Sequence, residues 1–179
     1  MRLAERPGPV HTDGTRRARV SHSSPPTRRK FSGVRPRGPL VLLVEDEDSI
    51  RELYAAELAA AGFMVLEAGD GATAIEKALQ FGPHAVVLDL MLPGIDGFKV
   101  ARKLREDDRT REVAVIALTA LRSAKFEQMA LAAGCDSFLS KPVIAAALIG
   151  ELVRLLARRA QQSDGSTPDL TRVKGGSGG

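Results

Sequence analysis

The chain has 179 residues, 44% of them apolar but only 4% aromatic, and a single cysteine, Cys135. That length allows one ordinary domain with an aliphatic core plus tails. The lone cysteine excludes an internal disulfide framework and the paired-cysteine zinc spacings, and it fits a reducing cytoplasm. No apolar stretch approaches the ~20 residues of a membrane span, and no apolar segment precedes the first strand to form a secretory signal. The formal net charge of +4 conceals a division. Residues 1–39 hold ten Lys and Arg against two acids, residues 40–157 twelve against eighteen, and residues 158–179 four against two. An acidic globule therefore lies between basic ends.

Residues 1–38 are rich in Pro, Gly, Ser, Thr and Arg, a composition that cannot bury enough apolar area to offset ordering. They are expected to form a disordered basic arm. Its clusters Arg16-Arg17-Arg19 and Arg28-Arg29-Lys30 have the charge to touch nucleic acid or anionic lipid, but clusters this short carry little specificity, and a solvated tail is the favoured reading. The folded part is expected over 39–158, and residues 159–179, ending in "KGGSGG", as a flexible tail.

Between the ends, short aliphatic runs alternate with helical-period segments. The runs are 39–44, 63–68, 84–90, 113–118 and 136–140. Ile50, Leu53, Tyr54, Leu58 and Ala61 make the first helical stripe, with Ser49 and Glu52 spaced as a capping box. Ile75, Ala78 and Leu79 mark a second stripe. Phe98, Ala101 and Leu104 mark a third, with a basic opposite face. Phe126, Met129, Ala130 and Ala133 form the fourth, and Ile144, Leu148, Leu152 and Leu155 the fifth. Gly62, Gly82 and Gly134 are placed to close helices. Five strands alternating with five helices predict right-handed βαβ units and a parallel sheet covered on both faces.

Ligands of open α/β sheets bind beyond the carboxyl ends of the strands. There the first run meets Glu45-Asp46, the third ends at Asp89, the fourth at Thr119 and the fifth at Lys141. Asp89 sits in an apolar strand pattern, where an ionised group is costly unless paired or metal-bound. With Glu45 and Asp46 it makes a three-carboxylate pocket, whose hard oxygen donors without histidine or thiolate suit Mg²⁺. Taken alone, "EDED" at 45–48 reads as a solvated acidic turn; the arrival of Asp89, Thr119 and Lys141 at the same edge favours a site. A carboxylate beside Mg²⁺ and a fixed ammonium can attack phosphorus and form an aspartyl phosphate. The loop "MLPGIDG" (91–97) supplies a tight turn at Pro93-Gly94.

At these residues the sequence resembles the receiver domain of two-component response regulators, over about residues 39–157. The strings "VLLVEDE", "VVLDLMLPGIDG", "ALTA" and "LSKP" occur in that order, with 43, 30 and 22 residues separating Asp46, Asp89, Thr119 and Lys141. The resemblance implies a flavodoxin-like three-layer α/β/α fold whose five-stranded parallel sheet has the order 2-1-3-4-5. It implies Asp89 as phospho-acceptor, Asp46 as a direct Mg²⁺ ligand with Glu45 acting largely through water, and the backbone carbonyl of Met91 as a third protein ligand. Thr119 resembles the switch hydroxyl, Lys141 the family's lysine, and Phe138 the aromatic that swings inward; Phe138 reads equally well as core. The Lys141-Pro142 bond is expected to be cis.

By the same resemblance the phosphodonor is a histidine kinase or histidine phosphotransfer protein. The output is a downstream protein contact on the face of helix four, strand five and helix five, and the protein is a cytoplasmic monomer or phosphorylation-dependent dimer. Too few residues follow the fifth helix for an output domain, so the expectation is a stand-alone receiver, self-phosphorylating and self-dephosphorylating but not an enzyme for an external substrate. The alternative is a nucleic-acid-binding regulator acting through the basic arm, with salt-dependent binding that disappears when 1–38 are removed. A phosphatase or nucleotide enzyme is disfavoured: the chain has no Walker lysine motif and no GxGxxG turn, and position 91, two after Asp89, is Met rather than a second aspartate. The residues two beyond Asp89 and Thr119 are Met91 and Leu121, neither able to orient an attacking water. The phosphorylated form should therefore persist for minutes or longer. Rapid hydrolysis that is unaffected when either position is made polar would count against this.

Overall fold

The computed structural model describes residues 38–164. The arm expected over 1–38 lies outside the described residues but for Gly38, as does the sequence beyond 164. Five strands alternate with five helices: β1 Leu40–Val44, α1 Asp48–Ala60, β2 Met64–Ala68, α2 Gly71–Phe81, β3 Ala85–Leu88, α3 Gly97–Glu106, β4 Ala114–Thr119, α4 Ala124–Ala132, β5 Ser137–Ser140 and α5 Ala145–Asp164. All pairings are parallel and the order is β2-β1-β3-β4-β5.

The two-residue alternation of the strands divides the core between the faces of the sheet. Leu42, Val44, Val86, Leu88, Val115 and Ala117 pack with Ala74 and Ala78 of α2, Val100, Ala101 and Leu104 of α3, and Ala130 of α4. The intervening residues Val41, Leu43, Ala85, Val87, Ala114, Ile116 and Leu118 pack with Tyr54 and Leu58 of α1 and Leu148, Leu152 and Leu155 of α5. This makes three layers, with α1 and α5 on one side and α2 to α4 on the other. β1, β3 and β4 are covered on both faces, which is why their residues are apolar without alternation.

The helix boundaries follow local chemistry. Asp70 caps α2 by accepting from the Thr73 N–H at 2.8 Å, and Asp96 caps α3 by accepting from the Lys99 N–H at 2.8 Å. Gly62, Gly82 and Gly134 take positive φ just past α1, α2 and α4, as expected. The capping box on Ser49 does not form. α1 begins at Asp48, its N-cap is Glu47, and the Ser49 hydroxyl donates to the Glu47 carboxylate at 2.9 Å. An acid in the first turn, favoured by the helix dipole, takes the place of the hydroxyl cap. The apolar stripes are also narrower than their spacing suggests: Leu53 is 57% exposed and Ile144, which precedes α5, is 73% exposed.

α5 runs to Asp164, past the boundary expected at residue 158. Near its end Arg159 donates twice to the Asp136 carboxylate, each at 2.8 Å, and also bonds the Glu112 carbonyl. Asp136 accepts in addition from Arg105 at 2.9 Å and from the Val115 N–H at 2.8 Å. These bonds tie the end of α5 to the amino edge of the sheet, and a helix so anchored has reason to continue.

Cys135 is buried below α4, and burial pushes its thiol up to about 12. The reactive thiolate is therefore absent near neutrality. Iodoacetamide at pH 8 should leave the native protein unlabelled and modify it fully in denaturant; labelling at equal rates in both would show the packing around α4 to be wrong.

Candidate functional site

The order of the strands decides where polar groups meet. β1 lies beside both β2 and β3, so the crossovers leave it in opposite directions and open a crevice at the carboxyl ends of β1 and β3. Glu45 and Asp46 follow Val44, the last residue of β1. Asp89 follows Leu88, the last residue of β3, one step beyond the strand rather than inside it as its apolar flanks suggested. Thr119 is the last residue of β4, and Lys141 follows Ser140 at the end of β5.

The three acids converge. Glu45, Asp46 and Asp89 each offer a carboxylate oxygen within 4.8 Å of the others. Glu45 is 3% exposed and Asp89 6%, whereas Asp46 faces solvent. Lys141 lies two strands from Asp89, about 10 Å at the usual strand spacing, and its long side chain reaches back across the end of β4. Its ammonium donates to Asp89 Oδ2 at 2.6 Å and to Glu45 Oε2. The other Asp89 oxygen accepts from the Met91 N–H at 2.8 Å.

Burial is the strongest influence on Glu45 and pushes its carboxyl above the usual value, although Lys141 pulls it back. Burial alone would lower Lys141, but its bonds to Asp89 and Glu45 outweigh that and raise it. The ammonium is thus held charged by the two carboxylates it joins.

Thr119 is fully buried. Its hydroxyl accepts from the Leu121 N–H at 3.4 Å, and its carbonyl accepts from the Lys141 N–H at 2.8 Å. Met91 turns its side chain outward, 58% exposed. Phe138 is half-buried against the core face shared with α2 to α4. The Lys141-Pro142 bond is cis, as expected. The glycine that ends "MLPGIDG" has a steric reason: a Cβ on Gly97 would come within 2.3 Å of the Asp89 carbonyl oxygen and 2.6 Å of Leu90 Cα. α3 therefore starts hard against the backbone that presents Asp89.

The sequence reading passed over one residue, Arg51. It is half-buried in the first turns of α1 and donates from Nη1 to the Glu45 carbonyl at 2.8 Å. It also bonds the Asp48 carboxylate and stands 3.4 Å from Glu67. The signal was present: Arg51 is the one base between residues 38 and 76, a span with nine acids.

The donor set suits a small divalent cation. Three carboxylates and one ammonium leave an excess of two negative charges, and the donors are hard oxygens. Of three oxygens on one octahedral Mg²⁺, at most one pair stands about 4.2 Å apart and the others about 3.0 Å, so the cluster would draw in, or bind through an intervening water, to take one.

The comparisons agree with this arrangement. The family model described as response regulator receiver domain matches residues 41–153, and the chain belongs to that family. It is 36% identical over 124 residues to the DNA-binding dual master transcriptional regulator RpaA of Synechocystis sp., covering 69% of this chain and 51% of that protein. It is 39% identical over 103 residues to the response regulator PleD of Caulobacter vibrioides, covering 58% of this chain and 23% of PleD. The chain thus spans about half or less of the length of these relatives. Among solved structures it resembles the receiver domain of the sensor histidine kinase PA1611 from Pseudomonas aeruginosa PAO1. The TM-score is 0.63 at 32% identity, with 67% of this chain and 98% of that one covered, and that structure is described as having a magnesium ion coordinated in the active site cleft. Among the described residues no helix is long and apolar enough to cross a membrane.

Replacing Lys141 by Met would leave two buried carboxylates facing each other. Without metal, Lys141→Met should lose on the order of 2–3 kcal/mol of stability at pH 7. Glu45 is already held above 4.5 by burial, so the folded variant binds its proton more tightly than the unfolded chain does. Stability should therefore recover as the pH falls through that raised value. Urea melts at pH 5 and pH 7 test this, and a deficit equal at both would refute it.

Proposed function

We propose that the chain is a phosphorylation switch in which Asp89 accepts a phosphoryl group from a phosphohistidine on a histidine kinase or phosphotransfer protein. The observation that carries the reading is the Lys141 ammonium bonded at once to Asp89 and Glu45, with Asp46 completing the acid cluster. One Asp89 oxygen forms a bond to phosphorus as the N–P bond of the donor breaks, and the electron pair returns to that ring nitrogen; with a proton on the other ring nitrogen, the imidazole leaves neutral. Glu45, Asp46, Asp89 and the Met91 carbonyl would hold Mg²⁺, with Asp46 as a direct ligand and Glu45 largely through water. When bound, the ion supplies positive charge to the phosphoryl oxygens.

Lys141, already charged and aimed at Asp89, takes a phosphoryl oxygen as the new group arrives. Thr119 leaves the Leu121 N–H and donates its hydroxyl to another, and Phe138 follows inward. The face of α4, β5 and α5 then changes shape and meets a downstream protein target or a second copy, a local charge event that biases a two-state surface. On this reading the protein works in the cytoplasm and promotes only its own phosphorylation and dephosphorylation.

Intact mass after incubation with Mg²⁺ and a small phosphodonor should show one added phosphoryl group, and Asp89→Asn should show none. An unmodified parent protein, or equal modification of Asp89→Asn, would overturn the assignment.

A further inference from the structure

We infer that Arg51 is a positioning residue for the acid pocket, fixing the peptide unit that aims Glu45 and Asp46 at a shared cation. The inference rests on the metal-binding reading above and adds to it a residue that touches neither the ion nor Asp89.

The Glu45 carbonyl and the Asp46 N–H belong to one planar unit, whose orientation sets where both carboxylates point. On its amino side Glu45 is still held by the sheet, since its N–H donates to the Ala68 carbonyl at 3.0 Å. β1 ends at Val44 and α1 begins at Asp48, so neither strand nor helix pairing fixes the next unit. Arg51 supplies the bond that is lacking there, from Nη1 to the Glu45 carbonyl at 2.8 Å.

The guanidinium is itself located by the Asp48 carboxylate and by Glu67 Oε2 at 3.4 Å. It joins the end of β1, the end of β2 and the first turn of α1, with its side chain only 16% exposed. A planar fork of several donors suits three acceptors at fixed angles, which a single ammonium does not.

A second role for the same charge makes the opposite prediction. If Arg51 acted only as a positive charge beside the acids, it would repel a cation, and its removal would tighten binding. If it positions the ligands, removal weakens binding although the pocket becomes more negative. The sign of the change separates the two.

The test is calorimetric titration of Mg²⁺ into the full chain and its Arg51→Met, Arg51→Lys and Asp46→Asn variants, with melts in chelator to verify folding. Loss of a partner that orients a metal ligand commonly weakens affinity 10-fold or more, so Arg51→Met should fall by about 10-fold and Arg51→Lys by several-fold. The Asp46 amide resonance of the metal-free protein should shift in both. Unchanged or tighter binding by Arg51→Met, with binding lost in Asp46→Asn, overturns the inference and leaves the metal site standing. Should Arg51→Met fail to fold, Arg51→Lys decides, and an affinity equal to the parent's overturns the inference. Absence of Mg²⁺ binding by the parent, or its full retention in Asp46→Asn, removes the metal reading and this inference with it.

Discussion

Glu45 and Asp89 arrive at one edge of the sheet from neighbouring strands, nearly sealed from water, and Lys141 comes from two strands beyond to stand between them. Two buried carboxylates at this separation repel, and each loses hydration; while both are ionised, a cation is needed to offset these costs. The ammonium meets both and is fixed through its backbone, because the Lys141 N–H bonds the Thr119 carbonyl at 2.8 Å. The end of β4 is therefore part of the same assembly. Parallel pairing in the order β2-β1-β3-β4-β5 brings these groups together from positions 96 residues apart in the chain.

On the proposed reading, the charge balance explains why such a site would respond to modification. Three acids and one base leave the pocket negative, and the buried Thr119 lies at the end of the neighbouring strand β4. A group that adds charge at Asp89 must be met by whatever can move. Thr119 is the neutral donor at hand, its hydroxyl accepting a long bond from the Leu121 N–H. The family match covers one receiver domain, and the part of RpaA and PleD that is matched confines the likeness to that domain.

Much of the architecture was legible because doubly covered parallel strands must be apolar along their whole length, and 41–44, 85–88 and 114–118 announce themselves in that way. The strand-end rule then selected Glu45, Asp46, Asp89, Thr119 and Lys141. What escaped depended on quantities that spacing does not hold. Leu53 has the right period for α1 but lies outside the face that packs on the sheet and α5, and is exposed. Ser49 has the right spacing for a cap, yet the helix begins two residues earlier than that cap implies, at Asp48. Arg51 was passed over: its isolation among acids marks it out, but a bond from its side chain to a backbone carbonyl six residues back is not encoded in spacing.

The tie between Arg159 and Asp136 has a mechanical consequence. α5 is 20 residues long, about 30 Å at 1.5 Å per residue. Its first turn follows the Lys141 segment, while its last turns are moored at the opposite rim of the sheet. A rod pinned at its far end swings rather than slides, so a small push at the Lys141 end would be delivered to a bound partner as a change of angle.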